Sequence, residues 1–186
     1  MTYDSQVHHR QSYRLKGYDY SLEGLYFVTV CVQDKRCLFG NIEEGEMKMN
    51  DVGKMVEAEL LNTMHIRDNM IIHEYIIMPN HLHFILQITH SRGGLNPPAN
   101  TKEESLNHST KDSCYPGGCN PPLRCSNTIG AMVRGFKGAI TRKIGYSIFQ
   151  RNYYEHIIRN QRSYEEIADY IVTNPLRWEK DKLYSG

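Results

Sequence analysis

The segment that decides the fold is residues 71–88, which read IIHEYIIMPNHLHFILQI. Two apolar runs, residues 71–77 and 82–88, are separated by the tripeptide Met-Pro-Asn, and proline and asparagine are typical turn residues. Short apolar runs that are rich in β-branched side chains and bounded by turn residues indicate buried strands. The segment therefore predicts two neighbouring strands joined by a tight turn.

The residues before this segment predict two more strands and a helix. Residues 26–32 are rich in aromatic and β-branched side chains, which favours a strand, and residues 46–50 suit a short edge strand. Apolar residues at helical spacing predict a helix over residues 51–65, with Asn50 as its N-cap.

The residues after it predict two helices. One covers residues 129–144, with Thr128 as its cap, and the other runs from Ser163 to about residue 174, because Ser163 and Glu166 match a capping box. The inward face of the last helix is formed by Ile167, Tyr170 and Ile171. This order of elements predicts an α+β sandwich with an antiparallel sheet and helices packed on it.

Length and composition indicate one ordinary globular domain spanning residues 1–186. The apolar fraction is 40% and the charged fraction 23%, which argues against full-length disorder. No apolar run approaches the length of a membrane span, and the N-terminal residues lack the apolar core of a signal peptide. The chain has five cysteines, an odd number, and no secretory signal. We therefore expect the protein to occur in the reducing cytoplasm and to have no disulfide framework.

Residues 91–127 predict a flexible Gly/Pro-rich insertion within this domain. They hold five of the seven prolines and contain no isoleucine, valine, phenylalanine or methionine. Such a segment cannot bury enough apolar surface to offset its ordering entropy. Zinc binding by Cys114, Cys119 and Cys125 is the other interpretation, but their spacing lacks a Cys-x2-Cys pair and is a weak signal.

The near-zero formal charge of +1 hides an uneven distribution. Residues 131–162 carry a local charge of +6, because seven basic residues accompany the single acid Glu155. Polyanion binding depends on local positive charge rather than on the total, and Arg134, Lys137 and Arg142 on the predicted helix could reach phosphates. A solvated basic helix face is the alternative interpretation.

The second apolar run opens with His81, Leu82 and His83. Residues two apart on a strand point to the same face, so both imidazoles are expected to project together. Two convergent neutral imidazoles make a partial metal site. The same spacing also occurs as two half-exposed histidines on a solvated face, so the pattern alone leaves both interpretations open.

A second group of reactive side chains lies in residues 150–159, QRNYYEHIIR. A tyrosine hydroxyl can attack phosphorus, but its ordinary pKa of about 10 means that a neighbour or a metal must help remove the proton. Helical geometry would align Tyr153 with His156, whereas strand geometry would align Tyr153 with Glu155. A packing or surface role is the alternative, since the chain has 13 tyrosines.

Together these segments resemble the single-tyrosine transposases of the HUH endonuclease superfamily, and most closely the REP-associated tyrosine transposases. The specific matches are MPNHLH at residues 78–83 and QRNYYEHIIR at residues 150–159. The supporting matches follow the family's order and cover nearly all of the chain outside the insertion: RLKGYDY at 14–20, YFVT at 26–29, VRGFK at 133–137 and YIVTNPLRW at 170–178.

The resemblance implies a ferredoxin-like fold with two histidines on the central sheet that hold Mg²⁺ or Mn²⁺. It implies a metal-dependent endonuclease and strand transferase of DNA transposition and recombination, which forms a 5′-phosphotyrosine intermediate and a free 3′-hydroxyl. Carried over residue by residue, His81 and His83 match the metal pair and Tyr153 matches the nucleophile. His156 is expected to be a third metal ligand or to handle a proton.

The partner that the resemblance implies is single-stranded DNA with a repeat-palindrome hairpin. The location that it implies is a bacterial or archaeal cytoplasm, in association with the nucleoid. Some members of the family exchange active-site elements between subunits, so a homodimer is compatible with the sequence. DNA contacts are expected from seven basic residues: Arg14, Lys16, Arg134, Lys137, Arg142, Arg151 and Arg159.

Two other functions fit the same residues. A non-catalytic or host-repurposed DNA-hairpin-binding module would keep the histidines and the tyrosine without cleaving DNA. A zinc hydrolase would use the His-x-His pair, but no further histidine or carboxylate motif of the usual zinc spacing accompanies it.

Overall fold

The computed structural model describes residues 22–89 and 128–184 of the chain. Six strands and three α-helices occur in these residues. In chain order they are β1 (Gly24–Cys31), β2 (Gly40–Glu43), β3 (Glu46–Met49), α1 (Asp51–Ile66), β4 (Met70–Met78), β5 (His81–Ile88), α2 (Ile129–Ile144), β6 (Tyr154–Ile158) and α3 (Gln161–Thr173). Two 3₁₀ segments, Gln33–Lys35 and Pro175–Lys180, follow β1 and α3.

Four of the strands form one antiparallel sheet in the order β4–β5–β1–β6, while β2 and β3 pair separately. The elements of the sandwich follow one another as β1, α1, β4, β5, α2 and β6. This βαββαβ succession, with the first strand at the centre of the sheet beside the third, is the ferredoxin-like arrangement. The predicted α+β sandwich is therefore confirmed.

The predicted strands are present with small shifts of their bounds. The two runs of residues 71–88 form β4 and β5, and the strand predicted over residues 26–32 is β1. The edge strand predicted over residues 46–50 is β3, but the sequence prediction lacks its partner β2, a four-residue strand of mixed polarity. Residues 154–158 are a strand, which decides the question that the sequence left open there.

The first two helices begin at the predicted caps. The side chain of Asn50 accepts a hydrogen bond from the backbone nitrogen of Gly53 at 2.9 Å. The hydroxyl of Thr128 accepts one from the backbone nitrogen of Ala131 at 3.2 Å. Each cap satisfies one of the backbone N–H groups that the first turn of a helix leaves without a partner.

The third helix begins two residues before the predicted start. Its cap is Asn160, whose side-chain oxygen accepts a hydrogen bond from the backbone nitrogen of Ser163 at 2.9 Å. The predicted capping box at Ser163 and Glu166 is therefore wrong. Asparagine is at least as good an N-cap as serine, and the earlier start adds residues to the helix.

The two faces of the sheet carry cores of different size, and we name them after the helices that cover them. The α1/α2 face holds the large core, to which β1 and β5 contribute alternate residues: Tyr26, Val28, Val30, Leu82, Phe84 and Leu86. The α3 face holds a smaller cluster whose fully packed members are Ile85, Ile158 and Ile171. Because little apolar surface fills the α3 face, that face has room for polar side chains.

Several sequence predictions lie outside the described residues. They are the DNA contacts of Arg14 and Lys16 and the insertion at 91–127 with its three cysteines. Within the described ranges, no helix is both long enough and apolar enough to cross a membrane.

Candidate functional site

His81 and His83 lie side by side on β5 and face α3. Leu82, between them, is fully buried in the core of the α1/α2 face, which is the alternation that a strand imposes. The two histidines are 0% and 3% exposed, and their ring centroids are 4.5 Å apart. The two imidazoles thus project together, as the strand period predicts.

A carboxylate from a distant part of the chain joins the two imidazoles. Ligand atoms of His81, His83 and Asp181 all lie within 4.8 Å of one another. The carboxylate is held in place, since Oδ1 accepts a hydrogen bond from the backbone nitrogen of Leu183 at 2.6 Å and Oδ2 accepts one from Asn174 Nδ2 at 3.2 Å. Asp181 is not among the residues predicted from the sequence, because no short motif links it to the histidines.

The side chain of Asn80 determines which nitrogen of His81 carries the proton. Its amide nitrogen donates to the backbone carbonyls of Lys35 at 3.1 Å and Leu183 at 2.8 Å, so its oxygen is the atom that faces His81 Nδ1 at 2.8 Å. An amide oxygen can only accept a hydrogen bond, so Nδ1 carries the proton. The lone pair of the neutral ring is therefore on Nε2, where it can bind a metal.

The residues of this cluster fit a divalent cation. Nε2 of His81 is buried and has no hydrogen-bond partner within the part of the chain that the structure describes. A buried acceptor without a partner costs about 1–3 kcal/mol, a cost that a bound cation removes. Burial lowers the pKa of His81 to about 4, with the charge of Asp181 acting in the opposite direction. The imidazole is therefore neutral near pH 7, which is the form that binds metals.

His83 contacts both its neighbouring strand and the helix above it. Nδ1 lies 2.8 Å from Oγ1 of Thr29 on β1, and Nε2 lies 3.2 Å from the phenolic oxygen of Tyr170 on α3. Burial, followed by the adjacent His81, lowers the pKa of His83 well below its ordinary value. Both histidines of the cluster are thus neutral.

Tyr170 is the tyrosine whose hydroxyl reaches the cluster. The hydroxyl donates to Oδ2 of Asp181 at 3.1 Å, and the ring packs edge-on against Phe27 with the centroids 6.1 Å apart. The residue is 37% exposed, so the hydroxyl lies at the border between the cluster and solvent. Burial, followed by the charge of Asp181, raises the pKa of Tyr170 to about 12, which keeps the phenol protonated near pH 7.

The predicted nucleophile Tyr153 lies on the other side of the sheet from the histidines. It packs against the core of the α1/α2 face, and Lys137 Nζ is 5.8 Å from the centre of its ring. The next residue, Tyr154, lies opposite Thr29 and so belongs to the α3 face. Consecutive residues of an extended chain point to opposite faces, which is why Tyr153 is not brought to His83.

Tyr154 offers an aromatic ring on the α3 face. It is 47% exposed, and its ring centroid is 6.3 Å from that of Phe27 in an edge-on arrangement. Phe27 in turn stacks on His83 with the centroids 5.2 Å apart. Tyr154 is therefore an exposed aromatic side chain close to the cluster, although no contact joins it to a possible metal ligand.

The predicted third ligand, His156, does not join the cluster. It is exposed and lies opposite Phe27 on β6, with β1 between it and β5. Adjacent strands are about 4.8 Å apart, so two strand spacings separate His156 from the histidine pair by about 10 Å. The group that the described residues bring together has Asp181 as its third member. The distance across the sheet keeps His156 apart from this group.

The predicted DNA-contacting residues that the structure describes do not form one patch. Arg134, Lys137 and Arg151 line a single groove beside the first half of α2. Arg142 lines a different groove, between α2 and α1. Arg159 follows β6 at the end of the strand that is remote from the histidines.

The ammonium group of Lys137 is engaged by the backbone of the segment that precedes β6. It donates to the carbonyl oxygens of Gln150 at 2.8 Å, Asn152 at 3.0 Å and Arg151 at 3.5 Å. Burial lowers the pKa of Lys137 to about 8, with Cys31 acting in the opposite direction. Lys137 thus supports this segment of the chain, and its donors are not aimed at solvent as a phosphate contact requires.

The fold and the site define an antiparallel ferredoxin-like protein with a His-His-Asp cluster and a tyrosine on one face of its sheet. A solved structure of a REP-associated tyrosine transposase bound to a REP hairpin is similar, with a TM-score of 0.56 and 19% identity. The similarity covers 90% of this chain and 74% of that one, and it shows a shared fold.

A relative of much higher identity is an uncharacterized protein of Haemophilus influenzae strain Rd. It is 41% identical over 188 residues, which cover 98% of this chain and 97% of that protein. The chain belongs to the same family as this Haemophilus protein. No protein-family model matches the chain.

Proposed function

We propose that the chain is a metal-dependent DNA strand-cleaving and strand-joining enzyme of the transposase type, with Tyr170 as its nucleophile. The observation that carries the proposal is the position of the Tyr170 hydroxyl, 3.2 Å from His83 Nε2 and 3.1 Å from Asp181 Oδ2. Phosphoryl transfer to a side chain needs a nucleophilic oxygen beside a group that stabilises negative charge. In this proposal Tyr170 replaces Tyr153, and Asp181 replaces His156, in the roles that the sequence predicted.

In the proposed reaction the phenolic oxygen of Tyr170 attacks a backbone phosphorus of single-stranded DNA. The bond between this oxygen and phosphorus forms, the bond from phosphorus to the 3′-oxygen breaks, and the 3′-oxygen takes up a proton to become a hydroxyl. The 5′-phosphate stays on the tyrosine. Attack by a 3′-hydroxyl reverses the exchange and rejoins a strand without ATP, because the number of phosphate ester bonds is unchanged.

Asp181 is the residue that would take the phenolic proton. Its Oδ2 already accepts the hydrogen bond from Tyr170, and the amide of Asn174 holds the same oxygen at 3.2 Å. Burial and the charge of Asp181 raise the pKa of Tyr170 above its ordinary value, so loss of the phenolic proton needs assistance from a nearby acceptor. A base within hydrogen-bond distance is therefore required, and Asp181 is placed there.

His81, His83 and Asp181 would hold the divalent cation. When bound, the cation supplies Lewis-acid stabilisation of the charge that develops on the phosphate oxygens. Two imidazole nitrogens and one carboxylate oxygen suit Mn²⁺ better than Mg²⁺, which prefers oxygen ligands. Asn80 orients His81, and Thr29 orients His83, through their hydrogen bonds to Nδ1.

Hairpin-containing single-stranded DNA is the proposed substrate. The transposase of similar fold is bound to a REP hairpin, which supports this class of partner. On the α3 face, the exposed ring of Tyr154 gives an unpaired base a surface on which to stack. Such a contact contributes about 1–3 kcal/mol per base.

The test is covalent capture of the DNA. Hairpin oligonucleotides taken from inverted repeats that flank the gene are labelled at the 3′ end, so that cleavage leaves the label on the protein. With Mn²⁺, wild-type protein should give a labelled band that survives denaturation, and chelation of the metal should abolish it. Tyr170→Phe should give no band, whereas Tyr153→Phe and Tyr154→Phe should retain it.

Three other outcomes would change the assignment. A band that persists in Tyr170→Phe and disappears in Tyr153→Phe would restore the nucleophile that the sequence predicted. Hairpin binding without any band in the wild-type protein would favour a non-catalytic hairpin-binding module. Cleaved DNA that is released without a link to protein would favour a hydrolase.

A further inference from the structure

The outer side of α2 is a feature that the proposed reaction does not use. The buried residues of α2, among them Val133, Phe136 and Ile140, face the core, so the opposite side of the helix faces away from it. That side forms a ridge between the two grooves described above, one lined by Arg134 and the other by Arg142. The residues of the ridge are all at least partly exposed: Ala131, Arg134, Gly135, Gly138, Thr141 and Arg142.

The ridge is positively charged. The helix α2 contains four basic residues and no acidic one. Two of the four are engaged within the protein, because Lys137 donates to backbone carbonyls and Lys143 forms an ion pair with Glu59 at 2.6 Å. Arg134 and Arg142 are exposed, and neither forms an ion pair within residues 22–89 and 128–184. Two uncompensated guanidinium groups on one helix face attract a polyanion.

Two guanidinium groups lie close together over this ridge. A Cβ atom at Gly138 would be 3.6 Å from Nη1 of Arg142, and one at Gly135 would be 3.6 Å from Nη2 of Arg67. Cβ positions three residues apart on a helix are about 5–6 Å apart, so the two nitrogens are no more than about 13 Å apart. Nη2 of Arg67 also donates to the backbone carbonyl of Ala131 at 3.4 Å, which fixes it beside α2.

This spacing matches the backbone of a DNA duplex. The phosphates of one strand advance by about 3.4 Å per nucleotide along the duplex axis, so a separation of up to about 13 Å spans a few neighbouring phosphates. Arg134 belongs to the same surface, since it lies one helical turn before Gly138, over which the side chain of Arg142 extends. Three arginines thus serve two turns of one helix.

The packing of the described chain does not require glycine at positions 135 and 138. Apart from the two guanidinium groups and the helix itself, no described atom lies within 4 Å of the Cβ position of Gly135 or Gly138. Both residues have helical backbone, in which glycine is the least favourable residue after proline. A glycine that costs stability and is not needed for packing fits a site where a partner closely approaches the helix backbone.

The composition of the ridge favours paired over unpaired DNA. Proteins that bind unpaired strands combine positive charge with aromatic side chains on which the bases stack. The ridge contains arginines, small residues and one threonine, and none of its residues is aromatic. Guanidinium groups without a stacking surface suit a duplex, because the regularly spaced phosphates are the part of a duplex that faces outward.

We propose that the ridge of α2 binds the phosphate backbone of the double-stranded stem of hairpin DNA. Arg67, Arg134 and Arg142 contact phosphates, and Gly135 and Gly138 allow the DNA backbone to approach the helix closely. The stem is then held on the outer side of the helices that cover the α1/α2 face, and the α3 face is left to the unpaired strand. That the stem belongs to a reacting hairpin rests on the proposed function, whereas binding of a duplex is measured separately.

The experiment measures binding of the full chain to a fluorescein-labelled blunt DNA duplex of arbitrary sequence by fluorescence anisotropy. A chelator is present, so that no cleavage takes place. Arg134→Gln and Arg142→Gln should each lower the affinity about 10-fold, the equivalent of one lost charge-assisted hydrogen bond. Each should also make the dependence of log K on log salt shallower by about 0.9, the value for one phosphate of a duplex.

The double variant Gly135→Ala/Gly138→Ala is the sharper test, because it should raise stability and weaken binding at the same time. The melting temperature should rise by about 2–4 °C for each substitution, since alanine is the better helix former and fits without a clash. The affinity for the duplex should fall about 10-fold, because the two methyl groups hold the phosphates away from the helix.

Arg162→Gln is the matched control. It removes the same charge from α3, which covers the other face of the sheet, and Arg162 is exposed and paired with Glu166 at 2.9 Å. It should change neither the affinity for the duplex nor the salt dependence appreciably. A single-stranded oligothymidylate of the same length is the second comparison, and Arg134→Gln and Arg142→Gln should weaken its binding less than that of the duplex.

Four outcomes overturn the inference. They are unchanged duplex affinity in the Arg134 and Arg142 variants, an equal loss in Arg162→Gln, equal losses for the duplex and the oligothymidylate, and a double alanine variant that binds the duplex like wild type. Failure of the proposed function looks different, because the variants would then weaken duplex binding as expected, while wild-type protein would give no covalent band with any hairpin.

Discussion

The two faces of the central sheet are built from the same strands but differ in what they bury. On the α1/α2 face, buried apolar side chains from β1, β4, β5 and the two helices form one continuous core. On the α3 face Ile85, Ile158 and Ile171 form a much smaller apolar cluster, and buried polar residues lie on the same face. Along β5 the two kinds of side chain alternate residue by residue.

Because of this difference, the α1/α2 face supplies most of the stability, and the α3 face holds the polar groups of the candidate site. Burial of apolar surface on one face provides most of the free energy of folding, since each large side chain contributes about 1.5–3 kcal/mol. The other face holds two buried neutral histidines, one with an acceptor that no described residue satisfies. Such groups cost free energy, so they persist only where the opposite face supplies a surplus. Four experiments test this division, in order of decreasing expected effect.

The largest effect is expected from the apolar face. Phe84 lies on the α1/α2 face of β5 and is fully buried. Phe84→Ala should lower the free energy of unfolding by about 3–5 kcal/mol. Urea unfolding measures this loss, and Mn²⁺ titration of the folded variant should give nearly the wild-type affinity. A loss of stability below about 1 kcal/mol would contradict the assignment of the main core to this face.

The second-largest effect is expected when the pH is lowered, which should reduce the free energy of unfolding. Burial lowers the pKa of His81 to about 4 in the folded protein, so between that pH and its ordinary pKa of about 6.5 the unfolded chain binds more protons. The free energy of unfolding then rises with pH, and it should fall by about 3 kcal/mol as the pH drops from 6.5 to 4.

Urea unfolding across that pH range, with a chelator present, measures the acid effect. His83 adds to it in the same direction, because burial lowers its pKa as well. In His81→Asn the pH dependence should be weaker, since asparagine does not titrate. A wild-type stability that stays flat over this range would show that His81 is not buried in its neutral form.

A smaller effect is expected from the residue that orients His81. Asn80→Ala removes the hydrogen bond to His81 Nδ1 and the two hydrogen bonds to the backbone carbonyls of Lys35 and Leu183. It should weaken Mn²⁺ binding about 10- to 100-fold. Calorimetric titration with Mn²⁺ provides the measurement. The control Asn62→Ala removes an exposed asparagine of α1 and should bind Mn²⁺ like wild type. Equal affinities of Asn80→Ala and wild type would exclude the proposed orienting role.

The smallest effect compares helix caps on the two faces. Asn160 caps α3 and Asn50 caps α1, each by accepting a backbone N–H at 2.9 Å. Replacement by alanine should lower the free energy of unfolding by about 1 kcal/mol in each case, because capping is a local interaction. Thermal or urea unfolding of both variants measures it. A much larger loss for one of them would show that its helix supports more of the fold than the cap alone.

The sequence predicted those parts of the molecule that depend on local patterns. The alternation around His81 and His83 gave the strand and the common direction of the imidazoles, and Asn50 and Thr128 gave two helix starts. These features depend on residues two to four positions apart, so the chain near each site contains the information.

The rest of the site depends on contacts that are remote in sequence. Asp181 and Tyr170 reach His83 only after α3 has packed on the sheet, and their separations of 98 and 87 residues follow no short motif. Tyr170 did stand on the predicted inward face of α3, where a tyrosine hydroxyl among isoleucines is a usable signal. Tyr153 was preferred because of the resemblance of residues 150–159, and the sheet register, which separates Tyr153 from Tyr154, cannot be read from sequence.

The distance along the chain between His83 and Asp181 also determines how long after His83 the ribosome adds Asp181. At about 5–20 residues per second, roughly 5–20 s pass between translation of the second histidine and of the carboxylate. During that interval the two imidazoles are present without their third partner and without the tyrosine. A ribosome-bound chain would therefore acquire most of its apolar layer before the His81, His83 and Asp181 cluster is complete.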